Sequence, residues 1–255
     1  MSVKLPPYLS IIVPAYNEAR SIVQTLTSMR QFLEDRRFSY EVIVVADGTD
    51  GTRELARDFA RGDPRWMTLG SSQRGGKGRG VRNGVLHALG DVIGFIDADY
   101  KTPINEVEKL LPWLRQSVSV VIGSRRAAGA QIARQQPIYR RMGSRAFAAA
   151  MRTLVGLGGI RDTQCGFKFF ARDAAHRIFS LQRIDGYMFD VEILRIARLL
   201  GYEIREVGVS WRDDGDSRYD PAVGTLKNAI DLVRIRRMRY DLSVVPEAQA
   251  PKLAA

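Results

Sequence analysis

Leu9-Ser10-Ile11-Ile12-Val13 and Glu41-Val42-Ile43-Val44-Val45 are short, β-branched apolar runs, and the stretch between them, from about Ala19 to Glu34, carries a helical pattern. Strand, helix and strand in that order make a βαβ unit, whose two strands lie parallel in one sheet. The alternation continues outward. A predicted helix from about Thr52 to Arg61 precedes a short strand at Trp66 to Leu69. The glycine-rich loop Arg74 to Gly80 then leads into a helix ending near Leu89, and Asp91-Val92-Ile93-Gly94-Phe95-Ile96 forms the next strand. A helix around Ile104 to Gln116 and a strand from Val118 to Gly123 follow. The predicted fold class is α/β: a mainly parallel central sheet with helices on both faces.

Past residue 124 the character changes. Residues 124 to 160 are rich in arginine, alanine and glycine, with Pro137 as a helix start. Asp162 to Phe170 reads as a loop entering a short strand, followed by helices near Arg172 to Ser180 and Phe189 to Leu200 and a strand from Glu203 to Trp211. A polar loop from Arg212 to Asp220 precedes a helix from about Ala222 to Tyr240. With no repeat and no linker, residues 1–242 are expected to form one domain and 243–255 a disordered tail.

Composition narrows the partners. The 39 basic against 28 acidic side chains leave a formal charge of +11, which favours an anionic partner: nucleic acid, a phosphorylated substrate or an anionic lipid surface. No zinc-finger, aromatic RNA-binding or basic-zipper pattern accompanies the charge, so nucleic acid is not predicted as a partner. The single cysteine, Cys165, excludes an internal disulfide framework and fits a reducing compartment. Met1 to Ser10 lacks an apolar core with a cleavage site, so no secretory signal is expected and a cytoplasmic location is. The longest apolar runs fall far short of the roughly 20 residues that span a bilayer, so any membrane contact is expected to be peripheral.

Chemistry concentrates at Asp97-Ala98-Asp99, directly after a strand, where open α/β sheets collect ligands. Two carboxylates one residue apart can share a hard divalent cation, Mg2+ or Mn2+, with the oxygens of a diphosphate. By itself such a triplet is more often a solvated turn. Beside it in the sequence stands Arg74-Gly75-Gly76-Lys77-Gly78-Arg79-Gly80, whose backbone amides and Lys77 can approach phosphate oxygens. It is neither a Walker loop nor a dinucleotide fingerprint.

With these motifs the chain, from Tyr8 to about Tyr240, resembles the family-2 inverting glycosyltransferases. Pro14-Ala15-Tyr16-Asn17-Glu18 looks like that family's nucleotide-binding opening, and Asp47-Gly48-Thr49-Asp50-Gly51-Thr52 like the second part of its base and ribose pocket. Asp162-Thr163-Gln164-Cys165-Gly166-Phe167-Lys168-Phe169-Phe170 and Phe189-Asp190-Val191-Glu192 are most similar to the dolichyl-phosphate glucosyltransferases and related polyprenyl-phosphate glycosyltransferases. Two positions depart from the pattern. Ala46 precedes Asp47 where the family usually pairs aspartates, and Lys101 stands where mannosyl relatives often have glutamine, which argues against a mannosyl donor.

The resemblance implies a GT-A-type, Rossmann-like fold with a donor-binding part at about 8–124 and an acceptor-binding part at about 125–242. It implies a nucleotide-sugar donor, UDP-glucose foremost although the base is open between uracil and guanine, held by Pro14, Ala15, Tyr16, Glu18, Asp47, Gly48, Gly76, Lys77, Asp97 and Ala98. Asp97 and Asp99 are the implied metal ligands. A polyprenyl or dolichyl phosphate acceptor brings its own anionic oxygen as nucleophile, and Arg125, Arg140 and Ser144 are the implied phosphate ligands. A hydroxyl acceptor on a small molecule or glycan instead requires a base, for which Asp162 and Asp190 are the candidates. Gln164 lies in the string implied to line the sugar and acceptor site. Arg141, Arg145 and Arg152 form one stripe of the helix from Pro137, and Arg234, Arg236, Arg237 and Arg239 stud the last helix, so both are expected at an anionic leaflet on the inner face of the membrane. A homo-oligomer is compatible with all of this.

Overall fold

The computed structural model describes residues 6–132, 153–212 and 221–243, the side chains of 221–227 excepted. The helix expected from Pro137, the loop at 213–220 and all but Ser243 of the expected tail lie outside these residues, and Arg140, Ser144, Arg141, Arg145 and Arg152 lie there with them.

Strands β1 (Leu9–Tyr16), β2 (Tyr40–Asp47), β3 (Trp66–Leu69), β4 (Val92–Ile96), β5 (Val120–Ser124), β7 (Phe167–Ala171) and β8 (Ile204–Gly208) form one sheet in the order β3-β2-β1-β4-β7-β5-β8. β1 runs parallel to both β2 and β4, and β5 parallel to β8, while β7 is antiparallel to both its neighbours. A pair of two-residue strands, β6 (Gln131–Ile132) and β9 (Ser210–Trp211), lies apart. The single strand expected over Glu203 to Trp211 is therefore divided. At Gly208 a Cβ would crowd the backbone of the 128–130 turn, and there the chain leaves one ladder for the other.

Alternation along the strands sends side chains to two cores. Ile12, Ile43, Val45, Phe95 and Phe170 pack with α3 (Lys77–His87), α5 (Arg172–Leu181) and α6 (Phe189–Leu199). Ile11, Val13, Val42, Val44, Ile96, Phe167 and Phe169 pack with α1 (Ile22–Asp35), α2 (Thr52–Ala60) and α4 (Val107–Arg115). Helices thus cover both faces, as the period-two pattern of wholly apolar strands requires. The last helix, α7 (Pro221–Arg237), adds Leu232 and Ile235 to the first of these cores.

The stretch Arg74 to Gly80 differs from the expected loop, because α3 begins at Lys77. Gly76 takes φ of +97°, which a glycine tolerates. Gly78 and Gly84 admit close neighbours: a Cβ would stand 2.5 Å from the Ile184 carbonyl oxygen at Gly78 and 2.6 Å from Ile12 at Gly84. These glycines serve close packing of a helix.

Candidate active site

The order of strands reverses at β1, whose neighbours β2 and β4 lead the chain to opposite sides, and the loops after β1, β2 and β4 open there. Because β7 is antiparallel, its N-terminal loop, residues 162–166, reaches the same edge: Ile96 pairs with Phe167, and the Asp97 N–H donates to the Gly166 carbonyl at 3.1 Å. A Cβ on Gly166 would collide with the Asp97 carboxylate. Thr25 of α1, fully buried, donates its hydroxyl to the Ala98 carbonyl at 2.8 Å and fixes the turn between the two aspartates.

The Lys77 ammonium lies 2.6 Å from Asp97 Oδ1, and the Lys101 ammonium 3.0 Å from Asp99 Oδ2. Asp97 and Asp190 raise the Lys77 pKa against the desolvation that would lower it. Asp190 itself is buried at the start of α6 and pairs with the buried Lys168, which also donates to the Cys165 carbonyl at 2.6 Å. Burial pushes the Asp190 carboxyl up, with Lys168 and Lys77 opposing. Lys168 shares with Phe170 the face of β7 that looks toward α6, where an unpaired ammonium would be costly. A lysine between phenylalanines in a central strand was the one signal for it.

Arg125, directly after β5, closes a two-pronged ion pair on Asp162, Nε to Oδ2 at 2.7 Å and Nη2 to Oδ1 at 2.8 Å, and its backbone N–H adds a third bond at 3.0 Å. Burial would raise the Asp162 carboxyl, but the Arg125 charge and hydrogen bonds overcome it and hold the pKa at about 2. The structure thus joins a residue expected to hold the acceptor phosphate to one expected as a base. An aspartate so held is a poor proton acceptor at neutral pH. Gln164 Nε2 stands 3.8 Å from the Met188 sulfur.

At the nucleotide end the loops after β1 and β2 are stitched together. Asn17, at φ of +55°, accepts the Thr49 N–H at 3.2 Å; the Glu18 N–H donates to the Thr52 hydroxyl at 2.8 Å, and the Ala19 N–H to Asp50 at 3.0 Å. Asp47 accepts the Ser71 and Gly75 N–H groups at 3.1 and 2.8 Å, so its carboxylate shapes the approach to α3. Tyr16 is partly exposed, with the Arg74 guanidinium 4.5 Å above its ring. Pro14 and Ala15 are the buried strand residues just before Tyr16, and Gly48 makes room for Asn17.

Asp97 and Asp99 offer hard oxygen donors on one half-buried turn, a donor set that fits Mg2+ or Mn2+. Among the described residues no cluster of three or more acidic, histidine or cysteine side chains is present, so such an ion would complete its shell with oxygens from elsewhere.

The profile of Glycosyl transferase family 2 matches residues 10–179. This chain belongs to that family. The family-2 transferase is 38% identical over 240 residues to a dolichyl-phosphate beta-glucosyltransferase of Trichomonas vaginalis, covering 89% of this chain and 70% of the relative. It is 34% identical to the dolichyl-phosphate beta-glucosyltransferase of Homo sapiens, over 91% and 75% of the two chains. Among solved structures it resembles glucosyl-3-phosphoglycerate synthase from Mycobacterium tuberculosis in complex with Mn2+, UDP and phosphoglyceric acid, with TM-score 0.64 and 22% identity over 91% and 80% of the chains. Mannosyl-3-phosphoglycerate synthase from Rubrobacter xylanophilus gives TM-score 0.63 at 17% identity, covering 97% and 79%. The fold is GT-A, and the chain is a nucleotide-sugar glycosyltransferase.

Proposed function

We propose that this transferase moves glucose from UDP-glucose to a polyprenyl phosphate of the dolichyl type, in a metal-dependent single displacement that inverts the anomeric carbon. The observation that carries the reading is the pairing of Lys77 with Asp97 at the reversal of strand order, with Asp99 two residues on. Similarity to the dolichyl-phosphate beta-glucosyltransferases supports the acceptor, and the complex of the solved synthase with Mn2+ and UDP supports donor and ion.

In this reading Tyr16, Glu18, Asp47 and Gly48 line the base and ribose, and Gly76, Lys77 and Ala98 face the pyrophosphate. Asp97 and Asp99 would hold the ion, which when bound supplies fixed positive charge to the pyrophosphate oxygens. Lys77 neutralises the departing nucleoside diphosphate, the charge that grows in the transition state. A phosphate acceptor is already anionic at neutral pH, so no carboxylate needs to take a proton. This accords with Asp162 being held by Arg125 and Asp190 by Lys168. Arg125, Arg140 and Ser144 are assigned to the acceptor phosphate, Arg125 being shared with Asp162.

Attachment to the membrane is assigned to α7. Ile230, Val233, Arg234 and Arg237 are exposed and fall within roughly 100° of one another on the helix, opposite the buried Leu232 and Ile235. Among the described residues no helix is long and apolar enough to cross a bilayer.

The test is transfer of radiolabel from UDP-glucose, with Mn2+ and dolichyl phosphate, into the organic phase. Label that enters the organic phase, and is lost in Asp99→Asn while the melting temperature holds, supports the reading. Label that stays aqueous on a small hydroxyl acceptor overturns the lipid assignment, and unchanged turnover in Asp99→Asn overturns the role of that carboxylate.

A further inference from the structure

Glu192 is fully buried on α6, and both its oxygens are committed. Oε1 accepts the Arg183 N–H at 2.9 Å and the Tyr240 hydroxyl at 3.0 Å; Oε2 accepts the Ile184 N–H at 2.7 Å. These bonds hold residues 182–185 as an arch over the start of α3. The Asp185 carbonyl accepts the Gly78 and Arg79 N–H groups at 2.8 and 3.3 Å, first-turn donors that have no partner within their own helix. Gln182 Nε2 ties the arch to the helix, donating to the Gly78 and Ile184 carbonyls at 2.9 and 2.8 Å. A Cβ on Gly78 would stand 2.5 Å from the Ile184 oxygen and 2.6 Å from Phe189 Cβ, so the first turn of α3 is pressed against the arch and α6 together. Lys77 lies between two glycines so clamped, its ammonium on Asp97.

We infer that Glu192, backed by Tyr240, is a positioning residue for Lys77: it fixes the arch, the arch fixes the first turn of α3, and that turn sets the ammonium against the pyrophosphate. The inference rests on the assignment of Lys77 to the donor pyrophosphate. A lysine ammonium on four flexible carbons is directional only as far as its Cα and first torsions are held, and the arch supplies that constraint.

The experiment measures UDP binding in the presence of Mn2+ by calorimetry on the full chain, and uridine binding by NMR as a phosphate-free control. Lys77→Gln and Glu192→Gln should each weaken UDP on the order of tenfold, the loss of one charge-assisted contact, and Tyr240→Phe by about threefold. Uridine binding should hold in all three, which a general loosening of the fold would not allow. The Lys77→Gln/Glu192→Gln double variant should bind UDP no more weakly than Lys77→Gln alone, because both changes remove one interaction. Full additivity, or UDP binding at the unsubstituted level in both Glu192→Gln and Tyr240→Phe, overturns the inference and leaves the Lys77 assignment standing. Unchanged UDP binding in Lys77→Gln overturns that assignment and the inference together. Should Glu192→Gln fail to fold, Tyr240→Phe and its double variant with Lys77→Gln carry the same comparison, since Tyr240 is half-buried and loses only its hydroxyl.

Discussion

At the scale of single residues, charge pairing explains more of the site than catalytic acid–base chemistry does. Asp162 is nearly buried, and burial alone would raise its pKa; the Arg125 guanidinium reverses this and holds the carboxyl at about 2. Its folded pKa is thus below the ordinary aspartate value of about 3.9, and the linked stability is present above that value and lost as pH falls through the folded one. The loss should run from about pH 4 to about pH 2 and amount to roughly 2–3 kcal/mol. Asp162→Asn removes the charge and leaves Arg125 without its partner, so at pH 7 the melting temperature should drop by roughly 5–10 °C for a chain of this size. The gap between the two proteins should narrow as pH falls from about 4 through about 2, where half of the native carboxyl is protonated. Equal melting at pH 7 in a scanning calorimeter would show that the pair contributes nothing. The residue types were legible in the sequence, because Arg125 and Asp162 both stand in recognisable strings. Their mutual contact was not, since 37 positions separate them and only the antiparallel insertion of β7 brings the two loops to one edge.

At the scale of elements, α3 shows how one composition can hide two physical situations. Glycine at Arg74 to Gly80 suggests a loop from sequence alone, because the partner that requires small residues lies about a hundred positions on, in the arch at 182–185. The flanking strands were legible for the opposite reason: their apolar alternation is local. Gly78 and Gly80 make the difference measurable. Replacing a helical glycine by alanine ordinarily stabilises by about 1 kcal/mol through backbone entropy. At Gly80 a Cβ would meet Val45 and Pro14 at 3.7 and 3.9 Å, ordinary contact distances, so Gly80→Ala should stabilise by roughly 0.5–1 kcal/mol. At Gly78 the obstacle is a backbone carbonyl at 2.5 Å, which cannot swing aside, and overpacking of about 1–3 kcal/mol exceeds the propensity gain. Gly78→Ala should therefore destabilise in urea titration, and should weaken UDP as well. If Gly78→Ala raises the urea midpoint as Gly80→Ala does, close packing is not what Gly78 serves.

At the scale of the whole molecule, the excess of eleven positive charges has to be reconciled with a site whose own charges are largely paired. The surplus is free to act elsewhere, and α7 concentrates part of it beside apolar surface. Ile230 and Val233 are 60% and 48% exposed, and a groove of about 690 Å³ on this helix is lined by them with Ala229, Arg234, Arg237 and Met238. In the membrane contact proposed for α7, these apolar side chains would enter the interface of an anionic leaflet and the flanking arginines would meet lipid phosphates. Each arginine near such a surface is worth about 1 kcal/mol, so neutralising Arg234 and Arg237 should weaken attachment roughly 30-fold. Flotation with vesicles of phosphatidylcholine and phosphatidylserine at low salt should carry the unsubstituted protein upward, with vesicles of phosphatidylcholine alone leaving it below. Raising the salt should release it, because exposed charges are screened beyond about 10 Å at 0.1 M. Arg234→Gln/Arg237→Gln should remain at the bottom of the gradient and yet turn over a short, water-soluble polyprenyl phosphate at the unsubstituted rate, since neither arginine belongs to the site. Flotation of that variant equal to the unsubstituted protein would remove α7 from the membrane contact and shift the question to the remaining basic surface.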